Sequence, residues 1–215
     1  MNLVFPQVFM TLIFITIVFF HIAKKNFAVA VAYGVQSFGI VMLLAFSYFK
    51  TGSPTFLLIA ALGFIVKVIM APIFIIHQIN KHELKFLVNN YTNLPLTLII
   101  VAALTATANS GLFTPLVTLQ PANRELLTLA LAAMLISVFL IINRKGAISQ
   151  IVGVLSLENS IVAFGLFSVI DQSLILEIGI VFSISVWIII ATVFISMIYK
   201  HFGSLDVTQM KHLKD

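Results

Sequence analysis

The sequence predicts an all-α integral membrane protein of about seven transmembrane helices, with the N-terminus outside and the C-terminus in the cytoplasm. Three observations predict this. Of the 215 residues, 61% are hydrophobic and only 9% are charged, whereas soluble domains run at roughly 45–50% apolar and about 25% charged. The apolar residues gather in runs of about 20, the length that crosses a hydrocarbon layer roughly 30 Å thick. The basic residues sit between those runs and alternate in density from one gap to the next.

The first run, Leu3 to Ala23, stops at Lys24, Lys25 and Asn26. With no basic residue before it and no small-residue cleavage site after it, it reads as a retained helix and not as a signal peptide. The second runs from Phe27 to Phe49 and ends at Lys50 and the turn Thr51-Gly52-Ser53-Pro54. Pro54 suits the first turn of a third helix, where a missing N–H costs nothing; that helix runs to Asn80 and contains Lys67 and Pro72. The polar stretch Lys81–Asn93 follows, then a short Ala- and Thr-rich fourth helix, Leu94–Ala108. Asn109-Ser110-Gly111 leads into the proline-punctuated stretch Leu112–Pro121, expected to be a loop, a re-entrant segment or an interfacial one. The fifth helix is Glu125–Ile142, broken by Asn143-Arg144-Lys145-Gly146. Ala147–Ile170 and Ser173–Tyr199 form the sixth and seventh helices, with Asp171 in the turn and a polar tail after Lys200.

Orientation follows from the basic residues. Lys24, Lys25, Lys81, Lys85, Arg144, Lys145, Lys200, Lys211 and Lys214 fall on one side of seven alternating spans, and only Lys50 and Arg124 on the other. Nine against two places the C-terminus in the cytoplasm.

Composition also removes function classes. Cysteine is absent, which excludes disulfides, thiolate metal sites and iron–sulfur clusters held by this chain. The five histidines are scattered, so a protein-built metal site is not expected. The formal charge of +5 is spread in short inter-helix clusters, a topological pattern and not a nucleic-acid-binding face. There is no glycine-rich phosphate loop and no H-E-x-x-H pattern, and nothing to activate a nucleophile, so the chain has no catalytic centre of its own.

Three charged side chains remain inside the spans. Lys67 lies thirteen residues into the third helix and Glu158 eleven residues into the sixth, both near mid-depth at about 1.5 Å per residue. Glu177 lies about one turn into the seventh helix. A charge at the bilayer centre costs about 2.5–3.5 kcal/mol even on lenient insertion scales, so Lys67 and Glu158 are expected to face protein or water. Burial penalises the charged form of such groups, which opens a proton-relay role. Holding a charged substrate or ion is the second reading, and mutual neutralisation that only fixes helix register is the third.

Ser156, Asn159 and Ser160 lie beside Glu158 or one turn from it and can carry bridging water. Pro72 removes a backbone bond one turn after Lys67 and is expected to kink the helix. Gly153 and Gly165 are expected to permit close helix contact. His77 and His21, near cytoplasmic helix ends, are read either as relay groups or as interfacial histidines reaching for water. Tyr33, Gln36 and Ser37 form a modest polar patch suited to a helix–helix contact, and Trp187 a packing residue.

From Glu158 outward, several stretches resemble the hydrogenase-4 component E (HyfE) family. These are Gly34-Val35-Gln36-Ser37; Phe64-Ile65-Val66-Lys67-Val68 followed by Pro72; Ile148-Ser149-Gln150-Ile151-Val152-Gly153 with Leu157-Glu158-Asn159; Glu177-Ile178-Gly179-Ile180; and His201-Phe202-Gly203-Ser204-Leu205-Asp206-Val207. The last three helices are also similar to the small complex I membrane subunit NuoK and its antiporter relative MrpC. The resemblance implies three parts: a four-helix extension over 1–123 with a re-entrant or loop segment, a three-helix NuoK-like module over 124–200, and a cytoplasmic tail over 201–215. It implies a multi-pass subunit in a bacterial or archaeal cytoplasmic membrane, within a hydrogenase or complex I-like oxidoreductase that couples electron transfer to proton or sodium translocation. Its expected partners are antiporter-like and other membrane subunits, together with lipids. Iron–sulfur clusters and a NiFe centre would belong to partner subunits, with no cofactor on this chain. In that comparison the key glutamate of the small complex I subunit corresponds roughly to Leu155, one turn before Glu158, and a family aspartate in the last helix corresponds to Ser183. A purely structural membrane-arm role and an independent small ion transporter are the alternatives.

Overall fold

A computed structural model of the chain describes residues 4–81, 90–117, 121–168, 195 and 199. We label the helices α1 (Val4–Ile22), α2 (Asn26–Thr51), α3 (Pro54–Lys81), α4 (Leu94–Ala108), α5 (Arg124–Asn143) and α6 (Ala147–Phe167). Among the described residues, five of these, all but α4, are long and apolar enough to cross a membrane. The expected seventh helix and the polar tail lie outside the described residues, Ile195 and Tyr199 apart. Between α4 and α5 the chain makes short helical turns at Gly111–Phe113, Thr114–Val117 and Pro121–Asn123.

Local signals explain where the helices start and stop. Gly52 takes the left-handed conformation, φ 70°, and its N–H closes on Tyr48 O, ending α2. Pro54 then opens α3. Asn93 caps α4, its side chain accepting the Leu96 N–H at 3.0 Å.

α3 is not uniform. Residues Phe64–Met70 form a π-helical stretch, in which the N–H of Ala71 reaches back five residues to Val66 O. Pro72 comes one residue after its end, beyond Ala71, and has no N–H to offer the preceding turn, so the wider turn absorbs the mismatch. Lys67 sits in the middle of this stretch and not on a regular turn.

The arrangement places α2 between α1, α3 and α6, and α5 between α1, α4 and α6. Met10, Ile13, Ile17 and Phe20 form the inward stripe of α1, at three- and four-residue spacing. The distribution of polarity runs opposite to that of a soluble bundle. Gln36, Ser37, Lys67, Ser137, Ser156 and Asn159 are buried, while Val8, Ile15, Ile73, Ile99, Ile142 and Ile161 face outward. Lipid tolerates that outer face, and the polar groups gain partners only inside.

α5 and α6 pack closely at Gly153, where a Cβ would lie 2.7 Å from Ile141 Cγ1 and 3.3 Å from its backbone nitrogen. The close-contact reading of Gly153 therefore has a direct geometric basis. Gly153→Ala is expected to push the two helices apart and cost about 1–3 kcal/mol, measured by SDS-titrated unfolding of the purified chain.

Two residues depart from expectation. Arg144 falls among the inter-helix basic residues that mark the expected cytoplasmic side, yet it is 3% exposed. Its guanidinium donates to the carbonyls of Phe20 and Ala23 at the end of α1. Those carbonyls have no helical partner and carry the negative end of the helix dipole, which is why a cation is drawn inward there. Burial pulls the guanidinium down to about 10, which leaves it charged at neutral pH. Both bonds come from the single nitrogen Nη2, and Arg144→Met removes the two of them together. That substitution is expected to cost about 1.5–3 kcal/mol in the same unfolding measurement. His21, read as a relay group or an interfacial histidine, is buried and stacked on Phe139, with Nε2 3.3 Å from Ile136 O.

Asn143 ties the segment before α4 to this same end. Its carbonyl accepts the Tyr91 N–H at 2.9 Å, and its Oδ1 accepts the N–H and hydroxyl of Thr92 at 3.0 and 2.8 Å. Its amide nitrogen donates to Thr97 Oγ1 at 3.3 Å.

Candidate functional site: a buried lysine, a carboxylate and a polar chain across four helices

Residues three and four apart share a helix face, and two such sets meet at the centre of the bundle. On α6 the set is Ser156, Asn159 and Ser160; on α2 it is Tyr33, Gln36 and Ser37; all six are buried. α3 brings Lys67 to the junction, 4% exposed. Pro72 packs on α2 close by, its Cγ 3.2 Å from where a Cβ on Gly34 would stand.

Lys67 Nζ donates to Asn159 Oδ1 at 3.0 Å and lies 3.7 Å from Glu158 Oε1. The first distance is a hydrogen bond and the second a looser ion pair. Asn159 Nδ2 donates onward to Gln36 Oε1 at 3.3 Å and Ser37 Oγ at 3.1 Å. Gln36 Nε2 donates to Ser156 Oγ at 2.8 Å, and Ser156 Oγ stands 3.0 Å from Ser137 Oγ on α5. Ser160 instead bonds its own helix, donating to Ser156 O at 2.9 Å.

The consequence is a polarised chain. Beginning at the ammonium, Asn159 and Gln36 each accept from the group before and donate to the next, so the amide dipoles turn their oxygen ends toward Lys67. Every polar atom of the Asn159 and Gln36 side chains has a partner, as burial in an apolar interior demands. Glu158 stands differently. It is 23% exposed and, among the described residues, held by the 3.7 Å contact alone, so it is the charge with room to change partners.

The sequence-derived candidates divide accordingly. Lys67, Glu158, Ser156, Asn159, Ser160 and Pro72 are brought together. His77 is exposed, ten residues beyond Lys67 and thus about 15 Å further along the helix. Glu177 lies outside the described residues. Gln36 and Ser37 prove more central than a helix–helix patch, because they carry the chain from α6 to α2. Ser137 had no signal in the sequence: a serine within a span commonly satisfies itself on its own backbone.

Among the described residues, no group of three or more His, Cys, Asp or Glu side chains could hold a metal ion. A separate cleft of about 730 Å³ lies between α4 and α5, lined in part by Thr105, Asn109, Arg124 and Thr128, and includes none of the network residues.

These features define an α-helical bundle with membrane-length apolar helices and a buried ion pair extended by amides and hydroxyls. A protein of Mycobacterium tuberculosis, the uncharacterised Rv0085, is 31% identical over 120 residues, covering 55% of this chain and 54% of that protein. The chain thus spans about half the length of this relative. No protein-family model matches the chain. No solved structure matches it either.

Proposed function

We propose that this chain is a non-redox membrane-arm subunit of an energy-converting hydrogenase or complex I-like oxidoreductase, in which Lys67 and Glu158 contribute to proton or sodium translocation. In this reading the chain crosses a bacterial or archaeal cytoplasmic membrane seven times, N-terminus outside, beside antiporter-like subunits. The observation that carries it is the Lys67–Glu158 pair inside membrane-length helices, one partner held by a hydrogen-bonded chain and the other, among the described residues, by the pair alone. A fixed cation beside a less constrained carboxylate is an electrostatic coupling element. A charge arriving on a neighbouring subunit changes the energy of the pair, and Glu158 responds by binding or releasing a cation.

A second reading has its own support: the full pairing of Asn159 and Gln36 also suits a clamp that fixes helix register. Glu158→Gln in the intact complex separates the two. The coupling role expects translocation driven by electron transfer to fall sharply while the subunits still co-purify. Normal translocation in an assembled variant would overturn it.

A further inference from the structure

The end of the bundle that carries Arg144 is both basic and apolar. The Arg144 side chain bonds the carbonyls of Phe20 and Ala23 and so holds the α5–α6 turn within a side chain's length of the α1–α2 turn. Lys145, next to Arg144, and Lys24 and Lys25, next to Ala23, therefore lie on two joined turns at one end of the bundle, the latter two exposed. Lys145 Nζ stands 5.0 Å from the centre of the exposed Tyr91 ring, on the segment that Asn143 ties to the same end. Among the described residues the carboxylates are Glu125, at the opposite end of α5, and Glu158, mid-helix, so this cluster has no described acidic partner. Directly beside the lysines, Ile22, Phe27 and Ile142 are exposed. Positive charge in one layer and bare aliphatic and aromatic surface in the next is the profile of a phospholipid molecule, headgroup and acyl chain. A soluble polyanion would use the lysines and leave the apolar residues bare.

We infer that Lys24, Lys25 and Lys145 bind the headgroup phosphate of an anionic phospholipid, with Tyr91 at headgroup level and the acyl chains against Ile22, Phe27 and Ile142. The buried Arg144 does not touch the lipid; it is the positioning residue that brings the two lysine-bearing turns together. The site is independent of ion translocation at Lys67 and Glu158.

The test is lipid binding to the full chain purified in detergent, by native mass spectrometry and by thermal shift, with phosphatidylglycerol compared against phosphatidylcholine. The wild type is expected to retain and be stabilised by phosphatidylglycerol selectively, less so at high salt. The combined variant Lys24→Gln, Lys25→Gln, Lys145→Gln, at surface positions, is expected to weaken that binding by about tenfold or more. The corresponding three-arginine variant is expected to keep it, and Lys50→Gln at the far end of α2 to leave it unchanged. Equal retention of both lipids, or unchanged phosphatidylglycerol binding in the triple glutamine variant, would overturn the site. So would loss of a co-purifying subunit in that variant with lipid retention intact, which would assign the lysines to a protein partner.

Discussion

Asn159→Ala is expected to be among the most damaging single substitutions in the bundle, although it removes no charge and little volume. Asn159 accepts from Lys67 and donates to both Gln36 and Ser37, so its loss leaves an ammonium and two buried oxygens short of partners. Hydrogen bonds to charged groups contribute about 1.5–3 kcal/mol and neutral ones about 1 kcal/mol in soluble proteins. Between membrane helices the average is lower, near 0.6 kcal/mol per bond, because an unfolded chain in lipid also finds partners. Three bonds with one charged member therefore add up to a loss of about 2–4 kcal/mol. Ser160→Ala is the matched control. Among the described residues Ser160 bonds the carbonyl of Ser156 on its own helix alone, so removing its hydroxyl is expected to cost less than about 0.5 kcal/mol. SDS-titrated unfolding of both variants checks the contrast, and equal losses would mean that the cross-helix chain does not hold the bundle.

That contrast marks what one sequence can and cannot disclose. The apolar runs identify the helices α1 to α6 within a few residues, and five of them have the length that hydrocarbon thickness asks for. The spacing of Ser156, Asn159 and Ser160 is enough to put them on one face. Depth is legible too: Lys67 and Glu158 are thirteen and eleven residues from opposite ends of antiparallel spans, so they must come level. Direction around each helix axis is what a single sequence does not contain. Asn159 and Ser160 look equally promising, and only the packing of α6 on α2 makes the first a hub and leaves the second on its own backbone.

Arg144 shows the same limit in another form. A basic residue just past a span normally marks the aqueous side, and the rule reads it as a surface charge. The unpaired carbonyls that draw it inward belong to a helix more than 120 residues away in sequence. Pro72 is half legible. Its missing N–H forecasts an irregularity in α3, but the distribution of the mismatch over Phe64–Met70, with Lys67 at its centre, depends on the packing of the whole helix.

The Lys67→Met, Glu158→Gln pair of substitutions is expected to give the second large effect, and its decisive feature is that the double variant should be more stable than the sum of the singles implies. Removing one member of a buried ion pair leaves the other uncompensated, at a cost of about 3–5 kcal/mol when both are sealed from water. Here Glu158 is 23% exposed and the contact is 3.7 Å, so about 2 kcal/mol per single substitution is the better expectation. Replacing both removes the charge problem altogether, and a favourable coupling of about 1–2 kcal/mol should appear in the double-mutant cycle. Lys67→Met also leaves Asn159 Oδ1 without its donor, so part of the loss remains in the double variant. The neutral double variant then separates fold from function within the assembled complex. It can hold the helices together but cannot carry a charge at this position. If it assembles and translocation is lost, the pair acts in coupling; if it assembles and translocation persists, Lys67 and Glu158 serve only to fix the helices.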